Sequence, residues 1–175
     1  MSLVAFSYPR LEKQDFDFIQ SIRAEYEPNY SLLNPHVTFV FETDEVEQGV
    51  FLEHLRPLIT ATPVIDFVMR SVSLIRDVDR ERWFLLLTAD EGFSSIVRLH
   101  DRLYTGVLAP QLRTDIPFIP HITLGVFADW MRGAGVRDEL NAKSLAIGGQ
   151  VTSILIADYR TNVLRPITEI TLATK

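Results

Sequence analysis

Asn34-Pro35-His36-Val37-Thr38-Phe39-Val40-Phe41 and Ile119-Pro120-His121-Ile122-Thr123-Leu124-Gly125-Val126-Phe127 spell one pattern twice, Pro-His-(Val/Ile)-Thr-(Phe/Leu) followed by more apolar residues. The two copies lie 85 residues apart (121 − 36) and hold two of the chain's four histidines. Side chains alternate across a strand, so residues i and i+2 share a face. His36, Thr38 and Val40 are expected on one face, with Val37, Phe39 and Phe41 on the other. The second copy sets His121, Thr123 and Gly125 against Ile122, Leu124 and Val126. Each strand then has an apolar back for packing and a front that opens with an imidazole and a hydroxyl about 7 Å apart. Pro35 and Pro120 suit the start of a strand, where a missing N–H costs little.

Working outward, the flanks repeat as well. Leu3 to Tyr8 reads as a strand, and Leu11 to Tyr26 carries Leu11, Phe18, Ile19, Ile22 and Tyr26 at roughly helical spacing. A polar, Pro-containing loop leads to the first motif strand. Asp44 with Glu47 three residues on resembles a capping box. It would open a helix carrying Val46, Val50, Phe51, Leu55, Leu58 and Ile59, with Pro57 kinking or ending it. Pro63 to Ile75 returns to β character. In the second half, Trp83 to Thr88 is an expected strand, Gly92 to Leu108 a helix, Ala109 to Pro120 a Pro-rich loop and His121 to Phe127 the second motif strand. Asp129 to Asn141 is an expected helix despite Gly133 and Gly135, and Val151 to Tyr159 and Ile167 to Ala173 close as strands. Each half thus reads β-α-β-α-β, which predicts an α+β fold. Two duplicated lobes, about residues 1–78 and 79–175, would form one domain around a central cleft, with the boundary near the Asp77 to Arg82 turn.

A chain of 175 residues buries roughly 70% of its unfolded surface. An apolar share of 47% against 23% charged residues supports a packed core and argues against disorder. With no cysteine, disulfides, thiolate-bound zinc and a cysteine nucleophile are excluded, and a cytoplasmic setting is expected. The longest strongly apolar run, Trp83 to Leu87, is far shorter than the roughly 20 residues a bilayer needs. The first residues lack a basic start and are interrupted by Pro9, so no secretory leader is expected. Net charge is −6, with no Lys/Arg-rich run. Binding long nucleic acid relies on many basic contacts to phosphates. Neither long duplex nucleic acid nor a membrane is therefore an expected partner, whereas a small phosphorylated ligand or an RNA end is.

A lone His-x-Thr is commonly a hydrogen-bonded structural pair, because buried polar groups find partners. Core packing gives no reason to repeat that pair, each time opposite apolar residues. Histidine titrates near neutral pH, so one imidazole can act as base while another acts as acid. Threonine hydroxyls can hold phosphoryl oxygens. Opening a cyclic phosphate needs a base for the attacking water, an acid for the departing sugar oxygen, and a grip on the phosphate between them. No metal or other cofactor is required. The two motifs are too alike to say which histidine is base and which is acid.

Other candidates weigh less. His54 and His100 fall in helical patterns with no threonine two residues on and read as surface or partly buried helix residues. Asp77-x-Asp79 lies in a short charged turn and reads as turn chemistry ahead of a cation site. Gly133-Ala134-Gly135 lacks the preceding strand and third glycine of a dinucleotide loop. Tyr8, Tyr30, Arg113 and Phe118 stand near the motifs in sequence and are candidates to contact a base or phosphate, Arg113 and Phe118 most directly.

In sequence, order and spacing, Pro35-His36-Val37-Thr38 and Pro120-His121-Ile122-Thr123 resemble the paired motifs of the two-histidine phosphoesterase superfamily. Its members include 2′-5′ RNA ligase-like proteins and RNA 2′,3′-cyclic phosphodiesterases. The resemblance covers nearly the whole chain. It implies a bilobal fold of two antiparallel sheets with both motifs in the central groove. It implies His36 and His121 as the catalytic pair, Thr38 and Thr123 as phosphate ligands, and no cofactor. The implied reaction is hydrolysis of a 2′,3′-cyclic phosphate or related phosphodiester on a nucleotide or RNA end. The alternatives are 2′-5′ ligation of RNA and a non-catalytic module that binds a nucleotide or RNA end. Family members that bind RNA are often more basic than this chain, which weighs against long RNA.

Overall fold

The computed structural model describes residues 1–160 and 163–174. In chain order the elements are β1 (Leu3–Ser7), β2 (Arg10–Leu11), α1 (Lys13–Tyr26), β3 (Val37–Thr43), α2 (Gln48–Thr60), β4 (Ile65–Arg76) and β5 (Trp83–Glu91). They continue with α3 (Phe93–Leu103), β6 (His121–Phe127), α4 (Trp130–Asn141), β7 (Ile147–Val151), β8 (Ser153–Arg160) and β9 (Val163–Thr171). The strands form two antiparallel sheets, ordered β3-β1-β8-β9 and β2-β7-β4-β5-β6. The architecture is the expected α+β one.

Both β-α-β-α-β runs are present, but they exchange parts. β4 ends the first run yet pairs with β5, and β8 from the second run pairs with β1. The helices cross as well, α1 packing against β6 and α3 against β3. The Asp77 to Arg82 turn, expected to divide two lobes, joins neighbouring strands of one sheet. Each sheet therefore draws strands from both halves of the chain. Burial explains the exchange: one apolar cluster, including Leu3, Leu55, Leu85, Ile122 and Ile170, runs through both sheets. A shared core of this size buries a larger fraction of surface than either half alone.

The motif strands β3 and β6 are the edge strands of their sheets and approach each other. Each has one extra residue at the same place. Thr38 and Val40 pair with Phe6 and Ala5, leaving Phe39 over. Thr123 and Gly125 pair with Leu86 and Leu85, leaving Leu124 over. A bulge shifts the alternation by one residue and bends the strand. The strict alternation expected from the sequence therefore ends at the threonines. Val40 is buried while Phe41, at 41% exposed, turns to the cleft, and Val126 does the same in the second strand.

Three local expectations need correction. Asp44 and Glu47 form no capping box: α2 starts at Gln48, its N-cap Glu47 makes no side-chain bond, and Thr43 Oγ1 accepts the Glu45 N–H instead. The helix after Gly92 stops at Leu103, short of Leu108: Tyr104 leaves helical geometry with ψ at 36°, Gly106 takes a positive φ of 53°, and the chain tightens into a 3-10 turn. β7 runs through Gly148 and Gly149, residues that weaken strand character in sequence, and so was not expected.

Candidate active site

His36 closes the loop ahead of β3. Its ring stands edge-on to Phe6 and Tyr8, with centroids 5.3 and 6.4 Å away, and its Nδ1 lies 2.8 Å from the carbonyl oxygen of Asn34. His121 begins β6 and repeats the bond, Nδ1 to the Ile119 oxygen at 2.5 Å. A carbonyl oxygen only accepts, so Nδ1 carries the hydrogen in both rings and donates it. In each ring that leaves Nε2 as the nitrogen with the lone pair.

Burial pushes His36 down to about 4, and the charges of Arg23 and His121 act in the same direction. Burial also lowers His121. With the cleft empty at neutral pH, both rings are neutral and each offers an Nε2 lone pair. An anion between them favours the imidazolium form. The ring that shares a proton with the bound phosphate then becomes the acid.

The cleft consists of two cavities, about 480 and 470 Å³, that share Thr38, Thr123, Phe41 and Phe84. His36 lines the first and His121 the second. Thr38 and Thr123 thus line the waist where the two cavities meet, with His36 on one side and His121 on the other. All four motif residues line one continuous opening.

Arg23 supports the first histidine. It is 1% exposed, and its guanidinium donates to the Leu33 carbonyl oxygen and to Gln20 Oε1, both at 2.7 Å. It ties α1 to the loop that presents His36. Burial lowers its pKa, and Glu27, Tyr8 and Tyr30 oppose that fall.

The remaining candidates separate. Tyr8 touches His36 but lines neither cavity, and Tyr30, at 39% exposed, is likewise outside both. Arg113 and Phe118 line the His121 cavity. The Arg113 guanidinium is engaged there by Asp115 at 2.7 Å and Asp79 at 3.2 Å. Phe118 stacks on His100, with centroids 3.7 Å apart and planes 7° from parallel. His100, read from the sequence as a surface or partly buried helix residue, is 3% exposed, lines the His121 cavity and bonds Asp101 through Nδ1. The signal was there, since His100 falls on the buried stripe Ile96, Leu99 and Leu103 of α3. His54 bonds the Leu103 carbonyl oxygen at 3.0 Å, as a structural histidine does. Asp77 accepts from the Asp79 N–H and from Arg82, which is turn chemistry. Gly133 and Gly135 lie within α4. Glu27, Glu42, Arg80 and Tyr159 line the His36 cavity from scattered segments that no sequence pattern joins.

The match that decides the family spans residues 9–162 and is to the 2′-5′ RNA ligase superfamily. The chain belongs to that superfamily. A candidate phosphoesterase from Geobacillus sp. (strain WCH70) is 29% identical over 137 residues, 77% of this chain and 69% of that one. One from Geobacillus kaustophilus is 30% identical over 111 residues, 62% of this chain and 61% of that one. The matched region thus spans less than two thirds of the second relative. Among solved structures, E. coli LigT in apo form superposes with a TM-score of 0.59 at 17% identity, covering 98% of this chain and 97% of that one. E. coli LigT complexed with 3′-AMP gives 0.55 at 18% identity over the same shares. Kluyveromyces marxianus Usb1 with uridine monophosphate gives 0.54 at 10% identity, covering 95% of this chain and 98% of that one. At these identities the likeness is one of fold. Membership in the superfamily supports phosphoesterase- or ligase-type activity. Among the described residues no helix is long and apolar enough to cross a membrane.

Proposed function

We propose that this protein is a metal-independent phosphodiesterase acting on a 2′,3′-cyclic phosphate or related phosphodiester of a nucleotide or RNA end. His36 and His121 are its acid–base pair, and Thr38 and Thr123 hold the phosphate. The observation that carries this reading is the repeated Nδ1-to-carbonyl bond, at His36 and at His121, on two rings lining one cleft. Binding alone has no use for two imidazoles turned alike, whereas proton transfer at both ends of a breaking P–O bond does. One Nε2 takes a proton from the attacking water and the other returns one to the departing oxygen. The threonine hydroxyls donate to the non-bridging oxygens, where charge develops. A nucleotide ligand is also in keeping with the 3′-AMP and uridine monophosphate bound by LigT and Usb1. A net charge of −6 favours a small ligand or an RNA end over a polymer.

The test is a screen of 2′,3′-cyclic nucleotides and cyclic-ended oligonucleotides against single-histidine variants. His36→Ala or His121→Ala should each lower kcat by roughly 10²–10⁴, about 3–5 kcal/mol of barrier. His54→Ala, whose ring is engaged by Leu103, should stay within about twofold. Activity that survives both cleft changes ends the proposal. The superfamily's name favours a second reading, joining of RNA halves through a 2′-5′ bond. Joined product from cyclic-phosphate and 5′-hydroxyl ends separates it from hydrolysis.

A further inference from the structure

The two cavities that meet at Thr38 and Thr123 are nearly equal in volume, about 480 and 470 Å³, but differ in chemistry. Glu27, Asn29, Arg80 and Tyr159 stand beside Leu33 and Leu164 on the His36 side, which is therefore mixed, with charged groups among apolar ones. Ile75, Val78, Leu112, Ile116, Pro117 and Phe118 make the His121 side apolar. A cyclic phosphate of one nucleoside carries a single organic group and fills one side only. We infer that the preferred substrate is an acyclic phosphodiester with two unlike arms, a polar nucleoside-like arm on the His36 side and a bulky apolar alcohol on the His121 side. This rests on the paired-histidine reading above and adds a substrate class to it.

Several observations converge on the apolar arm. Val78 is 59% exposed, and Phe41, Ile75 and Leu112 are exposed as well, an unusual grouping of large apolar side chains in water. Such patches mark binding surfaces. The polar groups around them are largely engaged: Arg113 with Asp79 and Asp115, Asp77 with Arg82, His100 with Asp101. A nucleobase edge buried there would lose water without gaining enough partners, whereas an alkyl or aryl group loses nothing. Phe118, backed by the His100 ring, gives that side a rigid wall. Each cavity lies within the 300–1,000 Å³ or so typical of ligand pockets, so each has room for its own arm.

In this pose water oxygen bonds to phosphorus and gives its proton to His36. The P–O bond to the apolar alcohol breaks, and that oxygen takes a proton from His121 on its own side. The products are a phosphomonoester and the free alcohol.

The experiment compares the hexyl and methyl esters of adenosine 5′-phosphate with adenosine 2′,3′-cyclic phosphate. Hydrolysis is measured on the wild-type protein, and affinity by calorimetry on the His36→Ala/His121→Ala double variant. The hexyl ester should bind at least roughly tenfold tighter than the methyl ester and show a kcat/KM higher by a similar factor, since five methylenes leave water. In Val78→Asp/Leu112→Glu, two exposed positions that should tolerate a charge without unfolding, that ratio should fall below about threefold. Equal affinity for the two esters, or a preference for the cyclic nucleotide, overturns the apolar-arm assignment whether or not turnover is seen. Histidine-dependent hydrolysis with a ratio near one sinks only this inference. Hydrolysis indifferent to both histidines sinks the proposed function instead.

Discussion

Replacing His36 by glutamine should flatten the acid limb of this protein's stability curve. Burial holds the ring neutral in the folded chain, with a pKa of about 4, whereas an imidazole in an unfolded chain titrates near 6.5. Between those values the unfolded state holds more protons. The contribution is therefore fully present above about pH 6.5 and is lost as the pH falls through 4. At about 1.4 kcal/mol per pH unit, the limiting loss is about 3 kcal/mol, and about 2 kcal/mol of it falls between pH 7 and pH 4.5. Urea unfolding at those two pH values gives the loss for the wild-type protein and for His36→Gln. Every group other than this ring is common to the two proteins, so the difference between them isolates His36. The wild-type protein should lose about 2 kcal/mol more than the variant. Equal losses, to within about 0.5 kcal/mol, would refute the claim that folding withdraws this ring from water.

Thr38→Val and Thr123→Val keep shape and remove a hydroxyl, so each should raise KM about tenfold or more through a lost bond to an anion. Steady-state kinetics on the best substrate of the screen checks this. Inorganic phosphate should bind with proton uptake near pH 6, because an anion between the rings raises both pKa values; calorimetry in two buffers of different ionisation heat measures the protons. Gly125→Ala places a Cβ 2.4 Å from the Tyr26 Cβ where α1 crosses β6, and should cost about 1–3 kcal/mol by thermal unfolding. Dialysis against EDTA should leave hydrolysis unchanged, since both proton transfers are assigned to imidazoles.

The motif strands and the helices that flank them were legible in the sequence. β6 runs over His121–Phe127 and α4 ends at Asn141, both as the pattern implies. What failed, failed for identifiable reasons. Phe41 turns to the cleft because a bulge at Phe39 resets the alternation, and a bulge depends on the partner strand. His100 was read by its lack of a threonine neighbour when its helical stripe already placed it inward. No sequence pattern singled out Arg23, which is buried with its guanidinium donating to the Leu33 carbonyl oxygen. Glu42, Arg80 and Tyr159 reach the cleft from strand ends and a turn far apart in the chain.

By itself the sequence determined that two Pro-His-x-Thr strands exist, that each has an apolar back, and that helices flank them. Those are properties of residues a few positions apart, written in local spacing. Only the tertiary structure decided that β4 crosses into the second run's sheet and β8 into the first's, that the two edge strands approach one another, and that the cleft between them has a mixed and an apolar side. Strand partners are chosen by burying apolar faces across large sequence separations, and that choice depends on every face at once. No single stretch of sequence records it.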